Sequence, residues 1–130
     1  MKKRVLSFKY AIEGLLTLFK EEPNARIHAF ATILVLSLGV YFKISITEWT
    51  LIIGCIGLVL FAEAINSSIE ALADFVSPEK QPQIKKVKDL AAAAVLLTAI
   101  TAAVIGAIIF FPKVGGYGKI QPRGSSFVIK

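Results

Sequence analysis

Apolar residues recur at helical spacing from the start of the chain: Val5, Phe8, Ile12, Leu15, Leu16 and Phe19 fall on one side, with Lys9, Glu13 and Lys20 elsewhere. The pattern predicts an amphipathic helix over 3–21, too charged to span a bilayer and suited to lie in its interface. Glu21-Glu22-Pro23-Asn24 ends it, because the residue before a proline is biased away from helix. Three spans follow, at about 27–42, 49–76 and 88–111. The stretch Leu90 to Phe111 holds no ionisable residue, and a spanning helix needs roughly 20 such positions. Residues 43–48 read as a minimal polar turn, residues 79–89 as a lysine-rich polar connection, and Pro112 as the stop of the third span. Residues 113–130, with four glycines and a proline, read as a flexible tail.

The expected fold is therefore all-α: a polytopic membrane protein with an N-terminal amphipathic interfacial helix and three transmembrane helices, forming one domain over 1–112. A mean hydropathy of +0.70 excludes a soluble enzyme. The charge of +6 changes the picture by where it sits. Six lysines and arginines precede the first span and four occupy the second connection, against one, Lys43, in the first turn. The positive-inside rule places the N-terminus and the second connection in the cytoplasm. With no basic stripe interleaved with aromatics, the excess speaks to anionic lipid and topology, and a nucleic-acid partner is not expected. Cys55, the only cysteine, excludes a disulfide framework and a cysteine-based zinc cluster. Lys9 and Glu13 interrupt the N-terminus before a signal-peptide core can form.

The second span carries what a passive anchor does not. Glu63, Asn66, Ser67, Glu70 and Asp74 share an arc of about 100° on one helix at 3.6 residues per turn. A carboxylate at bilayer depth costs on the order of 2.5–3.5 kcal/mol, which makes it a functional hypothesis by default. Glu70 and Asp74 are also what a helix surfacing into water would carry, but Glu63 has no such explanation. Acidic groups for a divalent cation, lysines at 85, 86 and 88 for phosphate and a buried acid to accept a proton suit phosphoryl transfer. No GxxxxGK[ST] loop is present, so the kinase would be neither of the P-loop nor of the protein-kinase kind.

The string Glu63-Ala-Ile-Asn66-Ser67-Ser68-Ile69-Glu70 with Asp74, followed by Lys88-Asp89 ahead of an alanine-rich span, resembles the prokaryotic diacylglycerol kinase and undecaprenol kinase family. The resemblance runs over roughly 3–112 in order and spacing. It implies a small homotrimeric membrane lipid kinase with shared active sites, using ATP and Mg²⁺ in the bacterial plasma membrane. It makes Glu63 the catalytic base, Glu22 and Glu70 the metal ligands, and Asn66 an active-site polar residue with Asp74 beside it. Tyr10, Glu79, Lys88 and Asp89 would serve the nucleotide and its phosphates. Glu22-Pro23-Asn24-Ala25-Arg26-Ile27-His28 has the form E-x-N-x-x-x-H, similar to the undecaprenol-kinase branch. The enterobacterial diacylglycerol-kinase branch carries an acidic residue where His28 stands. Arg26, His28 and Trp49 are candidates for the lipid side, with Trp49 also an ordinary interfacial anchor.

The expected activity is phosphorylation of a membrane lipid alcohol, undecaprenol ahead of diacylglycerol. A proton-translocating or transporter subunit built on Glu63 is the alternative of another class; it leaves Asn66, Glu70, Glu22 and Lys88-Asp89 without work. Whether Glu22 and Glu70 meet within one chain or across an interface is open at this level.

Overall fold

The computed structural model describes residues 1–115, which form four helices and no strand: α1 (Lys2–Glu21), α2 (Pro23–Phe42), α3 (Ile46–Val76) and α4 (Pro82–Val114). Of the expected tail, residues 116–130 lie outside the described residues. Helices α2, α3 and α4 are each long and apolar enough to cross a membrane. At ~1.5 Å per residue α3 and α4 reach about 46 and 50 Å, well beyond a hydrocarbon core of ~30 Å.

A single residue separates α1 from α2. Glu22, extended at φ −106° and ψ 110°, caps the C-terminus of one helix and the N-terminus of the next. Its N–H donates to the Leu18 carbonyl at 3.0 Å, and its own carbonyl accepts from Arg26 N–H at 3.3 Å. Pro23 at the first helical position supplies the turn's fixed φ and has no N–H to lose. Leu18 and Ala25, on either side of this elbow, are buried. The rest of α1 leaves Phe8, Ile12 and Leu16 exposed, as a helix lying along an interface does.

The α2–α3 turn is three residues long. Lys43 takes the left-handed conformation (φ 52°) that closes a helix C-terminus, and the Ile44 N–H reaches the Gly39 carbonyl at 3.2 Å. Ser45 and Glu48 then form a reciprocal capping box: Glu48 N–H to Ser45 Oγ at 3.1 Å, and Ser45 N–H to Glu48 Oε1 at 3.0 Å. That box starts α3 at Ile46, three residues before the apolar run that marked the span. Lys113 closes the same end by donating to Glu48 Oε2 at 2.7 Å.

Helix α4 departs from the sequence pattern at both ends. Its start at Pro82 makes most of the expected 79–89 connection helical, because a proline at the first position nucleates the turn. Its far end runs through Pro112 to Val114. Pro112 has no N–H to offer the Ile108 carbonyl one turn back, yet the helix continues only two residues beyond it.

α3 is the hub, packed along α4 and touching both α2 and α1. The core lies near the Ser45 end, where Ile44, Ile52, Ile109 and Phe110 are buried against Trp49, Phe42 and Ile105. Gly39 lets α2 approach this cluster: a Cβ there would sit 2.7 Å from the Trp49 ring. Gly39→Ala is expected to destabilise the fold by about 1–3 kcal/mol through overpacking. Thermal unfolding in detergent micelles would check this, an unchanged midpoint meaning that the Trp49 ring moves aside freely.

Candidate active site

Seventeen residues of α3, Ile46 to Ala62, pass before the first carboxylate of the polar face, about 25 Å of helix. Glu63 is therefore near the edge of the hydrocarbon, with Glu70 and Asp74 roughly 10 and 16 Å further along. Glu63 is 2% exposed and is the only buried charged residue among those described.

Its neighbour is His28 on α2, whose Nε2 lies 3.1 Å from Glu63 Oε1. The contact is in ion-pair range but off the line of a hydrogen bond, so Oε1 has no aligned donor. Asn66 donates from Nδ2 to Glu70 Oε1 at 3.0 Å, one turn further along the same face. Asn66 Oδ1 and Ser67 Oγ are buried without partners. Three orphaned polar atoms within two turns of one helix are unusual in a protein interior, where such groups are nearly always paired. Their clustering singles out this stretch of α3.

A cleft of about 600 Å³ opens beside them, between α1 and α3. Gly14, Leu18, Glu21 and Glu22 line one wall, and Ser67, Glu70 and Asp74 the other. The elbow thus brings Glu22 opposite Glu70 within a single chain, which the sequence had left open. Both are close enough to Glu63 for their charges to act on it. Four carboxylates, Glu21, Glu22, Glu70 and Asp74, make the cleft strongly acidic. On the other side of His28 lies a small apolar recess of about 110 Å³, walled by α2, α3 and α4 through Ala31, Val35, Cys55, Ile56, Ala102 and Gly106. Glu63 and His28 thus stand where a polar space and an apolar one approach each other.

The remaining candidates divide by distance. Lys88 Nζ bonds Asp74 Oδ1, tying α4 to the rim of the cleft. Asp89 pairs with Lys85 one turn back on exposed α4 surface. Tyr10 is exposed on α1, next to the cleft-lining Ala11, and Glu79 is exposed on the connection before α4. Arg26 reaches back across the elbow to the Lys20 carbonyl at 3.4 Å. Trp49 is not at the site: it packs in the opposite-end core, 14 residues or about 21 Å along α3 from Glu63. Ser67 had been visible on the polar face without a role, and its buried, unpartnered hydroxyl now joins it to the site. The His28–Glu63 contact bridges 35 positions and carried no local signal.

The chain is similar to known membrane lipid kinases. Residues 9–110 match the family described as prokaryotic diacylglycerol kinase. An undecaprenol kinase from Bacillus subtilis is 36% identical over 107 residues, covering 82% of this chain and 87% of that protein. A diacylglycerol kinase from Pseudomonas aeruginosa is 35% identical, covering 76% and 83%. One from Escherichia coli K12 is 27% identical, covering 82% and 87%. The chain is a membrane enzyme of the lipid-kinase class. It belongs to the prokaryotic diacylglycerol kinase family.

A buried carboxylate with an orphaned oxygen is a burden on the fold. Glu63→Gln is accordingly expected to leave the unfolding midpoint in micelles unchanged or higher. A loss of more than about 1 kcal/mol would make the carboxylate a structural tie rather than a reserved chemical group.

Proposed function

We propose that the protein transfers the γ-phosphate of ATP to the hydroxyl of undecaprenol, giving undecaprenyl phosphate and ADP. The observation that carries the reading is the buried Glu63 carboxylate, held with unpartnered Asn66 and Ser67 atoms near an acidic cleft. Glu63 takes the proton of the lipid hydroxyl, whose oxygen bonds the γ-phosphorus as the bond to the ADP oxygen breaks. A carboxylate in a low-dielectric setting is the stronger base near neutral pH.

The cleft suits Mg²⁺ by its donor chemistry. Glu22 and Glu70 offer hard carboxylate oxygens from opposite walls, and no group of three or more acidic, histidine or cysteine ligands exists among the described residues. Mg²⁺ asks for little more, since it takes one or two carboxylates and completes its shell with phosphate oxygens and water. Bound there, it would offset the negative charge of the phosphates against the acidic walls. Lys88 is the nearest cation to this rim. Released from Asp74, it is the group to meet a phosphate oxygen, with Tyr10, Glu79 and Asp89 toward the nucleotide.

Undecaprenol is favoured over diacylglycerol on two grounds. His28 matches the undecaprenol-kinase form of the elbow motif, and the Bacillus subtilis relative bears that name. The apolar recess also has the scale of a single small apolar group (a cavity of ~150 Å³ holds benzene), which fits the start of one prenyl chain better than two acyl chains. The N-terminus and the α3–α4 connection lie on the cytoplasmic side of the plasma membrane, where ATP is, and three copies assemble as in the resemblance.

Purified protein in mixed micelles with Mg²⁺ and γ-labelled ATP tests this, with undecaprenol and diacylglycerol offered separately. Label is expected on undecaprenol, and at least ~10²-fold less of it with Glu63→Gln. Preference for diacylglycerol would move the substrate within the same chemistry. No label on either lipid from folded protein would overturn the kinase reading and favour proton translocation.

A further inference from the structure

A base buried to 2% exposure cannot return its proton to water directly, and it must do so before each new turnover. Glu63 Oε1 has one titratable group beside it, the His28 imidazole, with Nε2 at 3.1 Å. His28 differs from Glu63 in the way that matters for an outlet: about a quarter of its side chain is exposed, against 3% for Glu63. The ring also stands in a fixed frame. Its residue lies in the second turn of α2, anchored by the Glu22–Pro23 elbow, and its carbonyl accepts a bond from Thr32 Oγ1 at 2.7 Å. The other charged groups that act on Glu63 are Glu22 at the elbow and Glu70 on α3. Helix α4 contributes uncharged Ala102 and Gly106 to the recess beside His28.

We propose that His28 is the positioning and proton-accepting residue through which Glu63 is reset in each catalytic cycle. This rests on the reading of Glu63 as the base. The lipid O–H proton passes to Glu63 Oε1 as the new O–P bond forms and ADP departs with the electrons of the bond that breaks. The Oε1–H proton then moves to Nε2, the imidazolium gives its Nδ1 proton to water, and exchange through water of the remaining proton from Nε2 to Nδ1 returns the ring to its starting tautomer. No group beyond those present, the two substrates and water is needed. The same 3.1 Å approach places Glu63 Oε1 toward α2. His28 is thus assigned to the base rather than to the lipid tail.

The test compares His28→Gln and His28→Ala with the wild type and Glu63→Gln in the undecaprenol assay. Glutamine fills the imidazole's space and can hydrogen-bond, but cannot carry a proton through. Both His28 variants are expected to lose about 10²-fold in kcat with KM for ATP nearly unchanged. Free imidazole in the buffer should restore part of the His28→Ala rate, and should leave Glu63→Gln as it was. A His28→Gln enzyme within about threefold of wild type, with the same pH–rate profile, would overturn the proposal. So would His28→Ala protein that melts like the wild type yet gains nothing from imidazole. Should His28→Ala fail to fold, the glutamine variant decides. Failure of the underlying reading shows differently: wild-type protein itself would label no lipid.

Discussion

A carboxylate two-thirds of the way along a membrane helix needs something other than hydrocarbon to face, and most of this architecture answers to that need. α3 turns Glu63 inward, toward α2 and the α1–α2 elbow, where it meets His28 and comes within electrostatic reach of Glu22. The one-residue elbow is what makes this possible. A longer linker would let α1 drift along the interface, and the second wall of the cleft would go with it. Glu22 is hence both the hinge of the local fold and part of the cleft wall.

Stability and chemistry are kept at opposite ends of the bundle. The Ser45 end holds the apolar core, the capping box, the Glu48–Lys113 bridge and the close Gly39–Trp49 approach. The Glu63 end holds unpartnered polar atoms, a wide cleft and pairs such as Lys88–Asp74, whose exposure limits it to at most about 1 kcal/mol of stability. On the proposed function that weakness is useful, since a lysine bound only loosely to Asp74 could be released to a phosphate. Much of the remaining surface is apolar and outward, with Leu58, Phe61, Leu97 and Ile108 all exposed. In a bilayer such surface costs nothing, and it is also what copies of the chain would bury against each other.

The number of helices, the break at Glu22–Pro23 and the polar face of α3 were all legible in the sequence, because each rests on local chemistry. A proline ends a helix where it stands, and 3.6-residue spacing gathers 63, 66, 67, 70 and 74 without any tertiary help. Element ends were less legible. The span of α3 was read from its apolar run, but Ser45 and Glu48 set its start by a hydrogen-bonded box that hydropathy does not register. Pro112 was read as a stop, and α4 runs only two residues past it, to Val114. Least legible were contacts between distant positions. Nothing near His28 announces Glu63, and nothing near Lys88 announces Asp74. Trp49 was read as an interfacial anchor first and a lipid contact second, and packing puts it against Gly39, far from Glu63.

The central claim is that Glu63 alone among the acidic groups of the site is set in a low-dielectric position and does the chemistry from there. An apolar carbodiimide, which reacts with protonated carboxyl groups in apolar surroundings, tests this directly when its adducts are mapped by peptide mass spectrometry. The expected result is one adduct, on Glu63, forming in step with the loss of phosphate transfer and slowed by the lipid alcohol. Equal labelling of Glu22, Glu70 and Glu63, or full transfer activity from protein completely labelled at Glu63, would contradict the account.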